Sequence, residues 1–392
     1  MSYHDLALFL AFVAIIAVLL YVDRRKVKRE GVMLIRRTLK GRDLIDRIAR
    51  ISPGFWNALA VLGIIIGILA MVFGSVLLAS NSIAIAKGEQ QEGVRLVLPA
   101  PTGEANLQPG FLLLPWWVWL IAIFSVVVPH ELFHGIMCRI ERIRIKSVGW
   151  VLLFIIPGAF VEPDEKQLKK ARRSVKLKVY AAGSFANLLL AGIMLLVMLF
   201  SFNALFEPTS TSFIANESSV FEKNLSGFIL SIDGKEISNT NEFREILSNY
   251  KPGDSADIVV AENARFIPKI NAADFIAPAA MVDENNVTTY IVIFQEHPDE
   301  AGKAYLGVVI PPVDGVKQND SGFSLYMLLF WIFVLNLGIG IVNILPIKPL
   351  DGGLFFEEML GRFTKQTKTI VKTVSIIILL LLIFNLIGPI FV

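Results

Sequence analysis

Ile121-Ala122-Ile123-Phe124-Ser125-Val126-Val127-Val128-Pro129-His130-Glu131-Leu132-Phe133-His134 places three ionisable groups directly after an apolar run. On a helix, histidines at i and i+4 share one face and can both ligate a Zn²⁺ ion, with the glutamate close enough to act as general base. With four histidines in 392 residues, composition alone predicts roughly 0.002 such HExxH matches. Ionisable groups inside a membrane span cost about 2.5–3.5 kcal/mol each on insertion scales and mark functional sites. Three within five residues are hard to explain as packing, or as snorkelling at a helix end.

Catalytic zinc usually takes three protein ligands and keeps one position open for water, so a third ligand is needed. His4 sits near the N-terminus and His297 in a distant polar segment. Cys138 lies one turn past His134 on roughly the same face, and its helix would have to bend to bring it to the ion. Asp351 follows Asn343-Ile344-Leu345-Pro346-Ile347-Lys348-Pro349-Leu350 at the end of another apolar stretch. Its two prolines break helix, and Gly352-Gly353 permit close backbone approach. Asp351 is the expected third ligand.

Working outward, 54% of the chain is hydrophobic and only 18% charged, with mean hydropathy +0.62. That balance fits a polytopic membrane protein and excludes intrinsic disorder, collagen and a disulfide-stapled module. A single cysteine also excludes an intramolecular disulfide and a cysteine-based metal knuckle. Six stretches approach the length of about 20 apolar residues needed to span a bilayer: Leu6–Val22, Phe55–Ala79, Phe111–Ile140, Val179–Phe202, Leu325–Pro346 and Thr373–Val392. The first lacks the basic flank of a cleavable signal peptide and reads as an uncleaved helix.

Basic residues set the expected orientation. Asp23–Gly54 carries eleven Lys/Arg, Arg139–Lys146 four, Pro163–Lys178 seven and Leu354–Lys372 four. Ser80–Gly110 carries only Lys87 and Arg95, and Asn203–Gly322 has eight against eighteen Asp/Glu. The N-terminus and residues 203–322 are therefore expected outside, and the basic loops in the cytoplasm. Val148–Val161 is too short to cross and contains Pro157-Gly158; it reads as a β-hairpin dipping into the membrane from the cytoplasmic side. Irregular backbone at that depth implies a polar cavity nearby.

The outer segment is expected to be α+β. Strands are predicted at Gly227–Ile232, Ala256–Val260, Tyr290–Phe294 and Ala304–Val309, with a helix over Thr240–Ser248 capped by Asn239 or Thr240. Asp233-Gly234 signals a hairpin turn. Ser226–Ile237, that helix and Lys251-Pro252-Gly253-Asp254 resemble a PDZ domain of the protease-associated type, with Glu262–Val287 as an insertion. Sequons at Asn216, Asn224, Asn286 and Asn319 are consistent with exposure of this segment.

HExxH in one span and Asn343, Pro346, Leu350, Asp351 and Gly352 near the end of a later one resemble the site-2 protease family. Gly183-Ser184-Phe185-Ala186-Asn187 is similar to its GxxxN element, with serine where proline is usual, and Pro157–Val161 to its membrane-embedded β element. The likeness covers about residues 111–392. It implies one zinc ion per chain held by His130, His134 and Asp351, with Glu131 activating water. Asn187 and Asn343 are candidates for contacting the substrate carbonyl or oxyanion, or else for bonding neighbouring helices.

The expected organisation is a two-helix N-terminal region (1–110), a first core part (111–202), the PDZ-like domain (203–322) and a second core part (323–392). The expected activity is intramembrane endopeptidase action on transmembrane protein substrates, in a lipid bilayer and without nucleic acid. Rival readings are a non-catalytic scaffold, a metal transporter, and a prenyl-protein-type protease with a glutamate as third ligand.

Overall fold

The computed structural model describes residues 3–89, 94–100, 106–108, 110–153, 156–215, 219–221, 225–271, 275–283, 285–311, 313–317 and 320–391. Asn216, Asn224 and Asn319 lie outside them, as do parts of the hairpin and of the insertion. The chain forms two compact units, Met1–Ile193 with Trp331–Val392, and Met194–Phe330.

The first unit begins with helix α1 (Tyr3–Asp23), strands β1 (Val27–Glu30) and β2 (Met33–Thr38), and helices α2 (Arg42–Ile51) and α3 (Pro53–Ala86). Strands β3 (Leu96–Ala100), β4 (Asn106–Gln108) and β5 (Phe111–Pro115) form a small sheet before helix α4 (Trp116–Ile140). The apolar run expected to start a span at Phe111 therefore opens as a strand. Pro115 holds the residue before it extended, and the helix starts one residue later. Strands β6 (Ile145–Leu153) and β7 (Ile156–Pro163), helix α5 (Glu165–Lys170) and the long helix α6 (Arg173–Leu205) follow.

Strands β6 and β7 pair antiparallel over the expected hairpin. The sheet is larger than the sequence indicated, with order β1-β2-β6-β7. Met33 to Thr38 pair with Leu153 to Val148, so the basic segment is not a bare loop outside the core. Helix α2 sits against α4: Ile45 and Ala49 are buried with Ile136 and Met137, and Asp46 pairs with Arg139. Strand β7 ends the sheet, leaving one edge without a strand partner among the described residues.

The second unit has strands β8 (Pro208–Ala215), β9 (Ser226–Ile232) and β10 (Lys235–Glu236), helix α7 (Thr240–Leu247), and strands β11 (Ser255–Ala261), β12 (Ala264–Asn271), β13 (Phe275–Val282) and β14 (Val287–Ile293). Short strands β15 (Gln295–Glu296), β16 (Ala304–Tyr305), β17 (Val308–Val309) and β18 (Asp314–Lys317) complete it. The main sheet runs β12-β13-β18-β8-β9-β11-β14. The four predicted strands and the helix are all present, although Ala304–Val309 is split in two. Asp233 and Gly234 have φ of 47° and 74°, the left-handed pair that a two-residue Asp-Gly hairpin requires. Asn239 caps α7 by accepting from the Asn241 and Glu242 amides. The stretch read as an insertion supplies the β12–β13 hairpin.

The chain ends with helices α8 (Asp320–Ile344), α9 (Asp351–Leu360) and α10 (Thr367–Ile387). Among the described residues, five helices are long and apolar enough to cross a membrane: Pro53–Ala86, Trp116–Ile140, Arg173–Leu205, Gly322–Ile344 and Thr367–Ile390. The sixth expected span, Leu6–Val22, falls in α1 (Tyr3–Asp23), which is not among these five. Leu69, Phe73 and Phe200 on these helices stay exposed, which suits hydrocarbon surroundings rather than water.

Candidate metal centre

His130 and His134 lie on one face of α4, as their spacing requires. Asp351 reaches them from the first turn of α9, because Pro346 and Pro349 prevent α8 from continuing. The resulting connection is pinned by Ser375, which donates to the Pro346 carbonyl and accepts from the Lys348 amide. Gly352 lies so close to the Ile344 carbonyl that a Cβ there would collide with it. The turn between the two helices is thus as tight as the glycine pair allows.

His130 Nε2 is 3.1 Å and His134 Nε2 3.0 Å from Asp351 Oδ2, and the two nitrogens are 3.2 Å apart. Ligands 2.0–2.1 Å from a tetrahedral zinc lie about 3.3–3.4 Å from one another. The three atoms thus form one face of a slightly contracted tetrahedron. The donor set of two imidazoles and a carboxylate suits such an ion chemically as well. His134 Nδ1 donates to the Val179 carbonyl at 2.7 Å. A carbonyl only accepts, so Nδ1 carries the proton, and in the neutral ring Nε2 keeps its lone pair for a metal. Helix α6 closes the back of the site through Gly183. A Cβ there would lie 2.5 Å from His130 Nε2 and closer still to His134 Nε2.

Glu131 is not one of these three ligands. Its Oε2 accepts the Val161 amide at 2.8 Å, so the edge of β7 fixes its direction. The two histidines, Glu131 and Asp351 line a cleft of about 470 Å³, together with Phe160 and Val161 of β7 and Tyr180 of α6. Glu165, Leu168 and Lys169 of α5 line it as well. Asp164 caps α5 by accepting from Gln167 and Lys166, and these amides, Gln167 foremost, hold its carboxyl below the usual range.

Of the residues expected from sequence, His130, Glu131, His134 and Asp351 share this one cleft. Cys138 also lines it but is fully buried, packed with Ile136 and Met137, and stands outside the group of three ligand atoms. Asn187 is fully buried and is not among the cleft-lining residues; its amide meets His130 Nδ1 at 3.2 Å. Asn343 is half-buried in the last turn of α8 and does not line the cleft. Sequence reasoning missed the Val179 carbonyl and the Val161 amide. Both are backbone groups, for which side-chain patterns carry no signal.

Residues 118–384 match the profile of peptidase family M50. A protein of Methanocaldococcus jannaschii, described only as uncharacterized, is 25% identical over 346 residues, covering 86% of this chain and 81% of its own. The matched region contains α4 from Val118 onward with its HExxH pair, the β6–β7 hairpin, α6 and Asp351. The chain belongs to peptidase family M50, the site-2 protease family that its histidine and aspartate motifs resemble.

Proposed function

We propose that this protein is an intramembrane zinc endopeptidase that hydrolyses peptide bonds within or near the transmembrane segments of other membrane proteins. The observation that carries this reading is the meeting of His130, His134 and Asp351 at 3.0–3.2 Å, with Glu131 lining the same cleft. Zinc bound there would act as a Lewis acid on the scissile carbonyl and make a water molecule acidic. Glu131 would take the proton from that water and deliver it to the leaving amine. Its bond to the Val161 amide holds Oε2 on β7 and leaves Oε1 to take that proton. The five apolar helices favour a substrate that reaches the site from the bilayer. Among the described residues only one group of three side chains that could hold a metal ion occurs, which favours catalysis over a transport path needing several.

A substrate helix must unwind before its backbone is open to attack, and β7 offers an edge to hold the unwound strand. Since the Val161 amide points away from β6 to Glu131, the two-residue alternation of a strand turns the Ala159 amide to the same outer edge. Proline is tolerated at such an outward position. Ala159→Pro is therefore expected to lower kcat/KM about 10-fold through loss of one main-chain bond, with zinc content unchanged. Kinetics on a single-span substrate, alongside zinc analysis, measure both.

By the distribution of basic loops, the cleft opens on the cytoplasmic side and residues 203–322 lie outside. There they would act as a PDZ-like filter that excludes substrates with large ectodomains or reads the end left by an earlier cut. The direct test is purified protein in detergent with a single-span substrate. Cleavage should vanish with 1,10-phenanthroline, and Asp351→Ala should lose its zinc. Cleavage that persists in chelator overturns the metalloprotease reading.

A further inference from the structure

His134 has its tautomer fixed by the Val179 carbonyl, whereas the corresponding atom of His130 faces an amide. Asn187 is completely buried, and its Nδ2 lies 3.2 Å from His130 Nδ1. In that orientation Asn187 Oδ1 is a buried acceptor with no partner. It also makes Nδ1 the acceptor, which in a neutral ring moves the proton to Nε2. That proton would point into the gap between His134 Nε2 and Asp351 Oδ2, where a metal ligand needs a lone pair. The two ends of an amide have nearly the same shape, so turning it by 180° costs little packing, gives Oδ1 the ring N–H as donor and returns the lone pair to His130 Nε2.

We infer that Asn187 is a positioning residue whose Oδ1 accepts from His130 Nδ1–H, holding the ring in the tautomer that presents a bare Nε2 beside His134 and Asp351. This rests on the metalloprotease reading and assigns Asn187 a task distinct from contacting substrate. The two imidazoles are then set by different devices, a main-chain carbonyl of α6 for one and a side-chain carbonyl of the same helix for the other. Both devices lie on one helix, two turns apart, with Gly183 midway between them. Helix α6 thus orients the two rings and also leaves the space between them.

Full-length protein in detergent can be titrated with chelators of graded strength, reading zinc per chain by mass spectrometry. Visible absorption of the cobalt-loaded protein reports ligand geometry independently. Asn187→Leu removes the acceptor and is expected to weaken zinc binding 10–100-fold, as loss of a ligand-orienting partner typically does. Asn187→Asp keeps only acceptor oxygens and is expected to stay within about 3-fold of wild type, with an unchanged cobalt spectrum. An Asn187→Asp protein that binds zinc as poorly as Asn187→Leu overturns the inference, because only a donor role through Nδ2 predicts that. Should Asn187→Leu fail to fold, the aspartate variant still decides, since donor and acceptor roles predict opposite outcomes for it. Wild-type protein that takes up neither ion overturns the metalloprotease reading, and the inference with it.

Discussion

Glu131→Gln is expected to abolish cleavage while leaving the metal in place. Glutamine has the shape of glutamate, and its Oε1 can still accept the Val161 amide that holds Glu131 Oε2 at 2.8 Å, so the side chain should keep its position. What it loses is the capacity to take a proton. Positioned acid–base catalysis contributes about 10²–10⁴-fold, and turnover should fall by that factor. None of the three converging ligand atoms belongs to residue 131, so zinc per chain should equal that of wild type. The separation of the two readouts is the informative part. A variant that cleaves at the wild-type rate would remove Glu131 from the chemistry. One that lost its zinc as well would show that the carboxylate helps hold the ion.

The legibility of the site in the sequence follows from the range of the interactions involved. The histidine pair was readable because helical periodicity alone brings residues four apart onto one face. Asp351 was readable less directly, through two prolines and two glycines that end one span and begin another helix. Hydropathy located the five long helices but misjudged Phe111–Pro115, because a short apolar run looks alike as strand or helix. The pairing of β2 with β6 was hidden for a different reason. Arg36 and Arg37 made the segment read as cytoplasmic charge, and Met33-Leu34-Ile35 is too brief an apolar run to signal a strand. Its partner lies more than 100 residues away, a register that no local pattern encodes. In Asn187 the two levels met halfway. Its spacing from Gly183 placed it on the right face of α6, but whether that face met substrate or His130 depended on how α6 packs against α4.

That packing leads to the second large effect. Gly183→Ala is expected to expel the metal while sparing the fold. The added methyl would come within 2.5 Å of His130 Nε2 and nearer to His134 Nε2, whereas real Cβ atoms essentially never approach below 3.0 Å. Neither ring can easily retreat, since His134 Nδ1 is tied to Val179 and His130 Nδ1 abuts Asn187. Overpacking of this kind costs about 1–3 kcal/mol. Replacing glycine by alanine inside a helix returns roughly 0.5–1 kcal/mol, so net destabilisation stays at or below about 2.5 kcal/mol. Zinc affinity has no such compensation, because the methyl occupies the space bordered by the ligand nitrogens. It should fall by about 100-fold or more, beyond the usual loss from removing an orienting partner, and activity should fall with it. Gly192 on the same helix is the matched control: a Cβ there meets nothing within 4 Å, so Gly192→Ala should keep both zinc and activity. Circular dichroism of both variants, read beside zinc per chain, separates loss of the ion from loss of the fold. A Gly183→Ala protein that retained a full complement of zinc would mean that α6 does not lie against the ligand atoms. The account of how this helix shapes the site would then fail with it.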